Sequence, residues 1–177
     1  MQLILLSGGA GKRLWPMSND TRSKQFLKLL SSPNGEKESM IQRVVRQIKE
    51  GDLVEEVTLA TNFMQHDSII NQLGADVNIV TEPERRDTFP AIALASSFLA
   101  LEKGCSMDEI VVVMPCDVYT EPGYFNTIRK MAETVTEQET DLVLMGIEPT
   151  YPSEKFGYIV PSKELVGGNS LEVERFT

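Results

Sequence analysis

The residues best able to do chemistry lie between positions 6 and 27. The run Leu6-Ser7-Gly8-Gly9-Ala10-Gly11-Lys12-Arg13-Leu14-Trp15-Pro16 is followed by Arg22-Ser23-Lys24-Gln25-Phe26-Leu27. Gly8, Gly9 and Gly11 let backbone N–H groups approach an anion closely, and Lys12, Arg13, Arg22 and Lys24 add positive charge to an otherwise acidic chain. The segment reads as a phosphate site. It is not a P-loop, because Leu6 stands where that motif needs its first glycine and Arg13 replaces the Ser/Thr that ligates magnesium. Nor is it the dinucleotide fingerprint, which would require a glycine at Leu14. A third kind of nucleotide site is implied. Two later stretches carry carboxylates at comparable places: Glu82-Pro83-Glu84-Arg85-Arg86-Asp87-Thr88, and Asp117 after Pro115-Cys116.

These groups act together only if the fold brings them together. Apolar runs at 2–6, 56–60, 77–80, 109–114 and 141–147 do not alternate with polar residues, the pattern of parallel strands covered on both faces. Helical periodicity occupies 39–49, 63–73, 88–103 and 122–139, with Gly74 and Gly104 as stops. The βα alternation predicts an α/β fold, a three-layer α/β/α sandwich on a mostly parallel, Rossmann-like sheet. Such sheets take ligands beyond the carboxyl ends of their strands, where the glycine loop, Glu82, Asp117 and Gly146 fall. Ser31-Ser32-Pro33-Asn34-Gly35 reads as an exposed turn, and Asp87 or Thr88 as a helix N-cap. Trp15 and the eight methionines read as packing, and His66 as an exposed residue with no part in proton transfer.

A length of 177 residues with 41% hydrophobic content suits one domain spanning 1–177. The formal net charge of -9 argues against nucleic acid or an anionic membrane as partner, since the cations gather near one loop. No apolar run reaches the roughly 20 residues needed to span a bilayer, and the start lacks a basic leader, so a cytoplasmic protein is expected. Cys105 and Cys116 lack metal or redox spacing and read as reduced thiols.

The motifs together resemble the N-terminal part of the sugar-phosphate nucleotidyltransferases, in particular the bacterial mannose-1-phosphate guanylyltransferases. The resemblance rests on Gly8 to Pro16, on Ser23-Lys24-Gln25-Phe26-Leu27, and on Glu82-Pro83 with Arg86-Asp87-Thr88-Phe89-Pro90-Ala91-Ile92-Ala93. It extends through Pro115-Cys116-Asp117 to Gly146-Ile147, Pro149-Thr150 and Phe156-Gly157-Tyr158-Ile159. It implies a nucleotide-diphospho-sugar transferase (GT-A-like) fold. The implied reaction is attack by a sugar 1-phosphate oxygen on the α-phosphorus of a nucleoside triphosphate, releasing pyrophosphate. Joining two anions requires screening, alignment and stabilisation of charge on the leaving group.

By this resemblance Arg13 holds the triphosphate and Lys24 lies near the reacting phosphates, the two catalytic candidates. Gly8, Gly9, Gly11, Lys12, Glu82, Asp87, Pro90 and Ala91 complete a nucleotide-binding set. Gly146, Gly157 and Tyr158 fall in the segment that receives the sugar, Tyr158 being equally suited to a core. Asp117 is the candidate Mg2+ ligand, one carboxylate sufficing for half a site, with a turn or helix cap as the other reading. Glu82 is the candidate base reader, because guanine offers N1–H and an amine as adjacent donors to one acceptor-only carboxylate. The chain departs from the family in Lys12 where Thr is commoner, Asp87 where Asn is commoner, and Cys116-Asp117-Val118 where Ser-Asp-His is usual. GTP and mannose 1-phosphate are the implied substrates, a homodimer is left open, and a uridylyl- or thymidylyltransferase or a non-catalytic nucleotide-sugar-binding regulatory domain are the alternatives. Leu171-Glu172-Val173-Glu174-Arg175-Phe176-Thr177 reads as a strand leading toward a family lysine beyond Thr177. The domain is therefore expected to be C-terminally truncated, binding nucleotide while catalysing poorly.

Overall fold

The computed structural model describes residues 1–9, 14–19, 23–138, 140–165 and 170–177. Internal packing divides the chain into two compact units, Met1–Phe125 and Asn126–Thr177. The first is built on a parallel sheet of β1 (Gln2–Leu6), β4 (Val57–Asn62), β5 (Val77–Glu82) and β6 (Val111–Pro115), in the order β5-β4-β1-β6. Two short strands, β2 (Leu30–Ser31) and β3 (Lys37–Glu38), form an antiparallel hairpin whose tip includes Gly35 at φ 85°. This is the exposed turn read from the sequence.

Helices flank the sheet. Successive residues of a strand point to opposite faces. Ile4 and Ala60 face α3 (Thr88–Leu101) and pack with its Ala91, Ala95 and Leu99. The small alanines let helix and sheet approach closely. Leu3, Leu5, Val57 and Leu59 lie on the other face and are equally removed from solvent. α1 (Met40–Glu50) buries Ile41, Val44, Val45 and Ile48, an i, i+3, i+4, i+7 stripe, and the shorter α2 (His66–Leu73) buries Ile69. Ser39 caps α1 in a reciprocal capping box with Gln42, and Gly74 ends α2 at φ 72°. α2 is preceded by a 3-10 turn at Phe63–Gln65 rather than running helical from 63.

In the second unit β7 (Ile159–Leu165) and β8 (Leu171–Phe176) form an antiparallel hairpin, extended by a reciprocal pair of 3.0 Å hydrogen bonds between Tyr158 and Thr177. The unit boundary falls inside α4 (Pro122–Glu137). Residues 141–147, expected as a strand, form none, and the βα alternation gives way here to antiparallel pairing. A strand exists only with a hydrogen-bonded neighbour, a long-range property that a run of aliphatics does not specify. Leu142, Leu144 and Ile147 are accordingly exposed, and Gly146 lies in irregular chain instead of at a strand end. Trp15 also departs from expectation, being 79% exposed rather than packed, and Met17, Met64 and Met107 are exposed as well. Among the described residues no helix is long and apolar enough to cross a membrane.

The central strand should dominate stability. Leu5→Ala, at a fully buried site, should cost about 2–5 kcal/mol, and Ser39→Ala about 1 kcal/mol through the lost cap, both read from urea unfolding midpoints.

Candidate functional site

In the sheet order β5-β4-β1-β6 the chain leaves β1 toward one side and returns to β6 on the other. A crevice opens where the winding reverses, outside the carboxyl ends of β1 and β6. Ser7, Gly8 and Gly9 leave β1 there beside Cys116 and Asp117 leaving β6. The two exits are fastened by the Cys116 N–H donating to the Leu6 carbonyl at 3.1 Å, and the Ser7 N–H ties the β1 exit to β4 by donating to the Ala60 carbonyl at 2.8 Å. The Cys116 thiol is held against Ser7, and burial pushes its pKa up to about 12 despite that hydrogen bond. It stays protonated and adds no thiolate to the crevice. The sequence reading of a buried reduced thiol holds for Cys116, while Cys105 is only partly buried.

Lys24 reaches the same crevice. Its ammonium pairs with the Asp117 carboxylate, both side chains being about one-third exposed (37% and 35%). Lys24 stands in a 3-10 turn, Lys24–Phe26, whose neighbours are pinned: the Gln72 amide donates to the Phe26 carbonyl at 2.9 Å, and the Gln25 amide to the Ser7 carbonyl at 2.8 Å. Thus the fold brings together two residues 93 positions apart that the sequence reading assigned to phosphate and metal.

Glu82 occupies the carboxyl end of β5, with Asn62 opposite it on β4. Its carboxylate reaches back to β1: a Cβ on Gly8 would sit 3.2 Å from Glu82 Oε2, so that approach depends on glycine. Burial raises the Glu82 pKa, offset in part by the positive charge of Arg85. A cleft of about 280 Å³ is lined by Asn62, Phe63, Gln65, Glu82, Pro83 and Arg85. Asn62 Oδ1 is buried with no hydrogen-bond partner among the described residues. The Glu82 carboxylate gives this cleft an acceptor-only group, suited to a ligand with N–H donors.

Asp87 is the N-cap of α3, accepting from the Thr88 N–H at 3.0 Å, with its backbone at φ 71°. Pro90 is exposed in the first turn of α3, whereas the Ala91 side chain belongs to the core. Gly11, Lys12, Arg13 and Arg22 lie outside the described residues. Gly146, Gly157 and Tyr158 lie in the second unit; the Tyr158 hydroxyl accepts from the Ser153 N–H at 2.6 Å and donates to the Ser153 carbonyl at 3.0 Å, so it is engaged locally. His66 is partly exposed beside Asp67. Sequence reasoning missed Gln65 and Thr61, which are fully buried beneath the loop exits. A glutamine inside a stretch read as helical carries no local mark of such a place.

The nucleotidyl transferase family profile matches residues 2–177, essentially the whole chain. The chain belongs to the nucleotidyl transferase family. Among curated relatives, a mannose-1-phosphate guanylyltransferase of Escherichia coli is 32% identical over 96% of this chain and 36% of its own length. The xanthan biosynthesis protein XanB of Xanthomonas campestris is 34% identical over 98% of this chain and 35% of its own. This nucleotidyl transferase family chain thus spans about a third of the length of the curated relatives it matches. Among solved structures, a Thermus thermophilus protein described as a mannose-1-phosphate geranyltransferase superposes with TM-score 0.75 at 26% identity, over 99% of this chain and 49% of that one. A mannose-6-phosphate isomerase from Helicobacter pylori superposes with TM-score 0.69 at 25% identity, over 99% and 58%. These likenesses agree with the α/β/α architecture expected from the sequence.

Because the Glu82 pKa is raised in the fold, the folded protein holds that proton more tightly than the unfolded chain does. The associated stability is complete below the ordinary glutamate value of 4.5 and is lost as pH rises through the raised value. Glu82→Gln should therefore be more stable than the parent near neutral pH and gain little below 4.5, measured as Tm against pH. Ellman's reagent should label Cys105 in the native protein and reach Cys116 only on unfolding.

Proposed function

We propose that this chain carries the nucleotide half of a sugar-phosphate nucleotidyltransferase, taking GTP and mannose 1-phosphate to GDP-mannose and pyrophosphate. The observation that carries the reading is the Lys24–Asp117 pair, set beside the glycine exit of β1 at the reversal of the sheet. A cation and a carboxylate there serve the two needs of phosphoryl chemistry, neutralising the polyphosphate and holding a divalent metal. In the reaction an oxygen of the sugar phosphate forms a bond to the α-phosphorus as the bond to the pyrophosphate oxygen breaks, and the electron pair leaves with pyrophosphate.

Asp117 supplies a hard oxygen ligand. Among the described residues no three His, Cys, Asp or Glu side chains gather to form a complete metal cage. Magnesium bound to a polyphosphate needs only one or two protein carboxylates, the other ligands being phosphate oxygens and water, so a lone Asp117 fits that ion. When bound, Mg2+ would offset charge on the phosphate oxygens. Lys24 would turn from Asp117 to the arriving phosphates, Asp117 would hold the ion, and Arg13 would complete the cationic side.

The Glu82 carboxylate supports guanine, which presents adjacent N–H donors to one acceptor-only group, over uracil or thymine, which present one ring N–H. An ionised Glu82 is the better acceptor, so GTP affinity should fall as pH drops through its raised pKa.

Calorimetry of the chain with Mg2+ and each of GTP, UTP, dTTP, ATP and CTP tests the reading. GTP should bind tightest. Glu82→Gln should weaken GTP about tenfold or more while leaving UTP nearly unchanged, and Asp117→Asn should weaken all triphosphates only when Mg2+ is present. A uniform loss in Glu82→Gln would refute base reading, preference for UTP or dTTP would redirect the assignment to another transferase of the family, and absence of nucleotide binding would refute the whole reading.

A further inference from the structure

Three of the four buried side-chain atoms that lack a hydrogen-bond partner among the described residues meet around one carbonyl: Arg43 Nε, Gln47 Oε1 and Thr120 Oγ1. Arg43 and Gln47 stand one turn apart on the same face of α1. The Arg43 Nη2 donates to the Thr120 carbonyl at 2.9 Å, and the Gln47 Nε2 donates to the same oxygen at 3.2 Å. In a guanidinium Nε and Nη2 share a carbon, as Oε1 and Nε2 do in an amide. Two of the orphaned atoms are therefore a single carbon removed from an atom already on that carbonyl. The third is the hydroxyl of Thr120 itself, a residue only 8% exposed.

A buried polar group left unpaired is costly, and these three have complementary capacities: Nε only donates, Oε1 only accepts, and Oγ1 does both. No two of them bond each other. A single water can bridge them, since hydrogen bonds of about 2.8 Å on either side let it span atoms up to about 5.6 Å apart, and a buried water makes about three such bonds. An anion would bring no proton for Gln47 Oε1, and a cation would face the guanidinium. Water is the ligand whose chemistry matches all three.

The loop involved is the one that carries Asp117. Residues 117–120 are held at both ends: the Cys116 N–H is tied to β1 through the Leu6 carbonyl, and α1 grips the Thr120 carbonyl. The Arg43 guanidinium also lies over the Tyr119 ring, 4.3 Å from its centre, so one side chain engages two consecutive residues of the loop. We propose that one water is bound among Arg43 Nε, Gln47 Oε1 and Thr120 Oγ1, and that the clamp it completes positions the loop bearing Asp117 for a divalent ion. The water site rests on hydrogen-bonding capacity alone, and the positioning role rests on the metal reading of Asp117 above.

A crystal structure of the full chain should show a water within about 3.2 Å of all three atoms. No water there, or direct bonds among the three side chains, would overturn the site. Thr120→Val keeps the shape and deletes the hydroxyl. A hydroxyl bonded to water stabilises the fold, so the variant should lower the folded-to-unfolded ratio about fivefold in urea; an unchanged or higher ratio, as expected for loss of an unpaired hydroxyl, would overturn the site as well. Gln47→Met removes one bond to the carbonyl and one to the water. In the unliganded chain it should speed hydrogen exchange across residues 116–121 about tenfold and leave β5 unchanged. In calorimetry it should weaken GTP about fivefold with Mg2+ and less than about twofold without it. Thr120→Val should move exchange and GTP affinity in the same direction by about threefold, and it carries the test should Gln47→Met fail to fold. Unaltered exchange in the folded variants would overturn the clamp. GTP affinity that is unchanged, or lost equally with and without Mg2+, would overturn the positioning of Asp117. If the parent binds no GTP, the proposed function fails and the positioning role with it, while the crystal structure and the exchange rates still decide the water and the clamp.

Discussion

Everything in the first unit depends on one geometric constraint: a parallel sheet turns the carboxyl ends of all its strands to the same side. With β1 at the centre, every exit on that side lies within side-chain reach of another. Lys24 meets Asp117 across the β1–β6 junction, and Glu82 reaches past β4 to Gly8. None of these contacts is local in sequence. They follow from Leu3, Ile4 and Leu5 being buried on both faces, which keeps β1 in the middle of the sheet and makes its exit the hub.

Three unfavourable features lie on that side of the sheet. Buried carboxylate, orphaned amide oxygen and a non-glycine residue at positive φ are each a local penalty. Glu82, Asn62 Oδ1 and Asp87 supply one of each, and all three sit at the carboxyl ends of β4 and β5 or in the turn after them. The hydrophobic sheet beneath tolerates them, since its own packing does not rely on those groups. Gln65 is the opposite case, a buried polar group whose capacity is filled. Its four hydrogen bonds compensate the burial that Asn62 Oδ1 leaves uncompensated.

How far the sequence disclosed this depends on the range of each signal. The β1, β4, β5 and β6 runs and the four helices were legible because burial on both faces and 3.6-residue periodicity are local patterns. Gly8 was read from the sequence as allowing close approach of an anion, and the group the fold shows close to it is the Glu82 carboxylate. Residues 141–147 misled because aliphatic content marks a segment able to pair, and pairing requires a neighbour elsewhere in the chain. Trp15 misled for a related reason, as a large aromatic side chain carries no statement of where its cavity is. Gln65 was invisible because a buried polar residue is defined by its partners, and those lie 4, 40, 42 and 56 positions away.

The charge balance then takes on a physical meaning. A chain of formal charge -9 repels a polyphosphate at long range, but screening over about 10 Å leaves only the nearest groups to decide binding. Local cations suffice if they are held in place and their present partners can let go. The Lys24–Asp117 pair meets the second condition, because an ion pair one-third open to water is worth about 1 kcal/mol or less and opening it costs little. Had the pair been fully buried, separating it would cost several kcal/mol and the lysine would be locked to its own protein. Partial exposure of Lys24 and Asp117, over a rigid and fully bonded amide beneath, is thus the arrangement in which a cation can exchange an internal carboxylate for an incoming anion without moving the backbone that carries it.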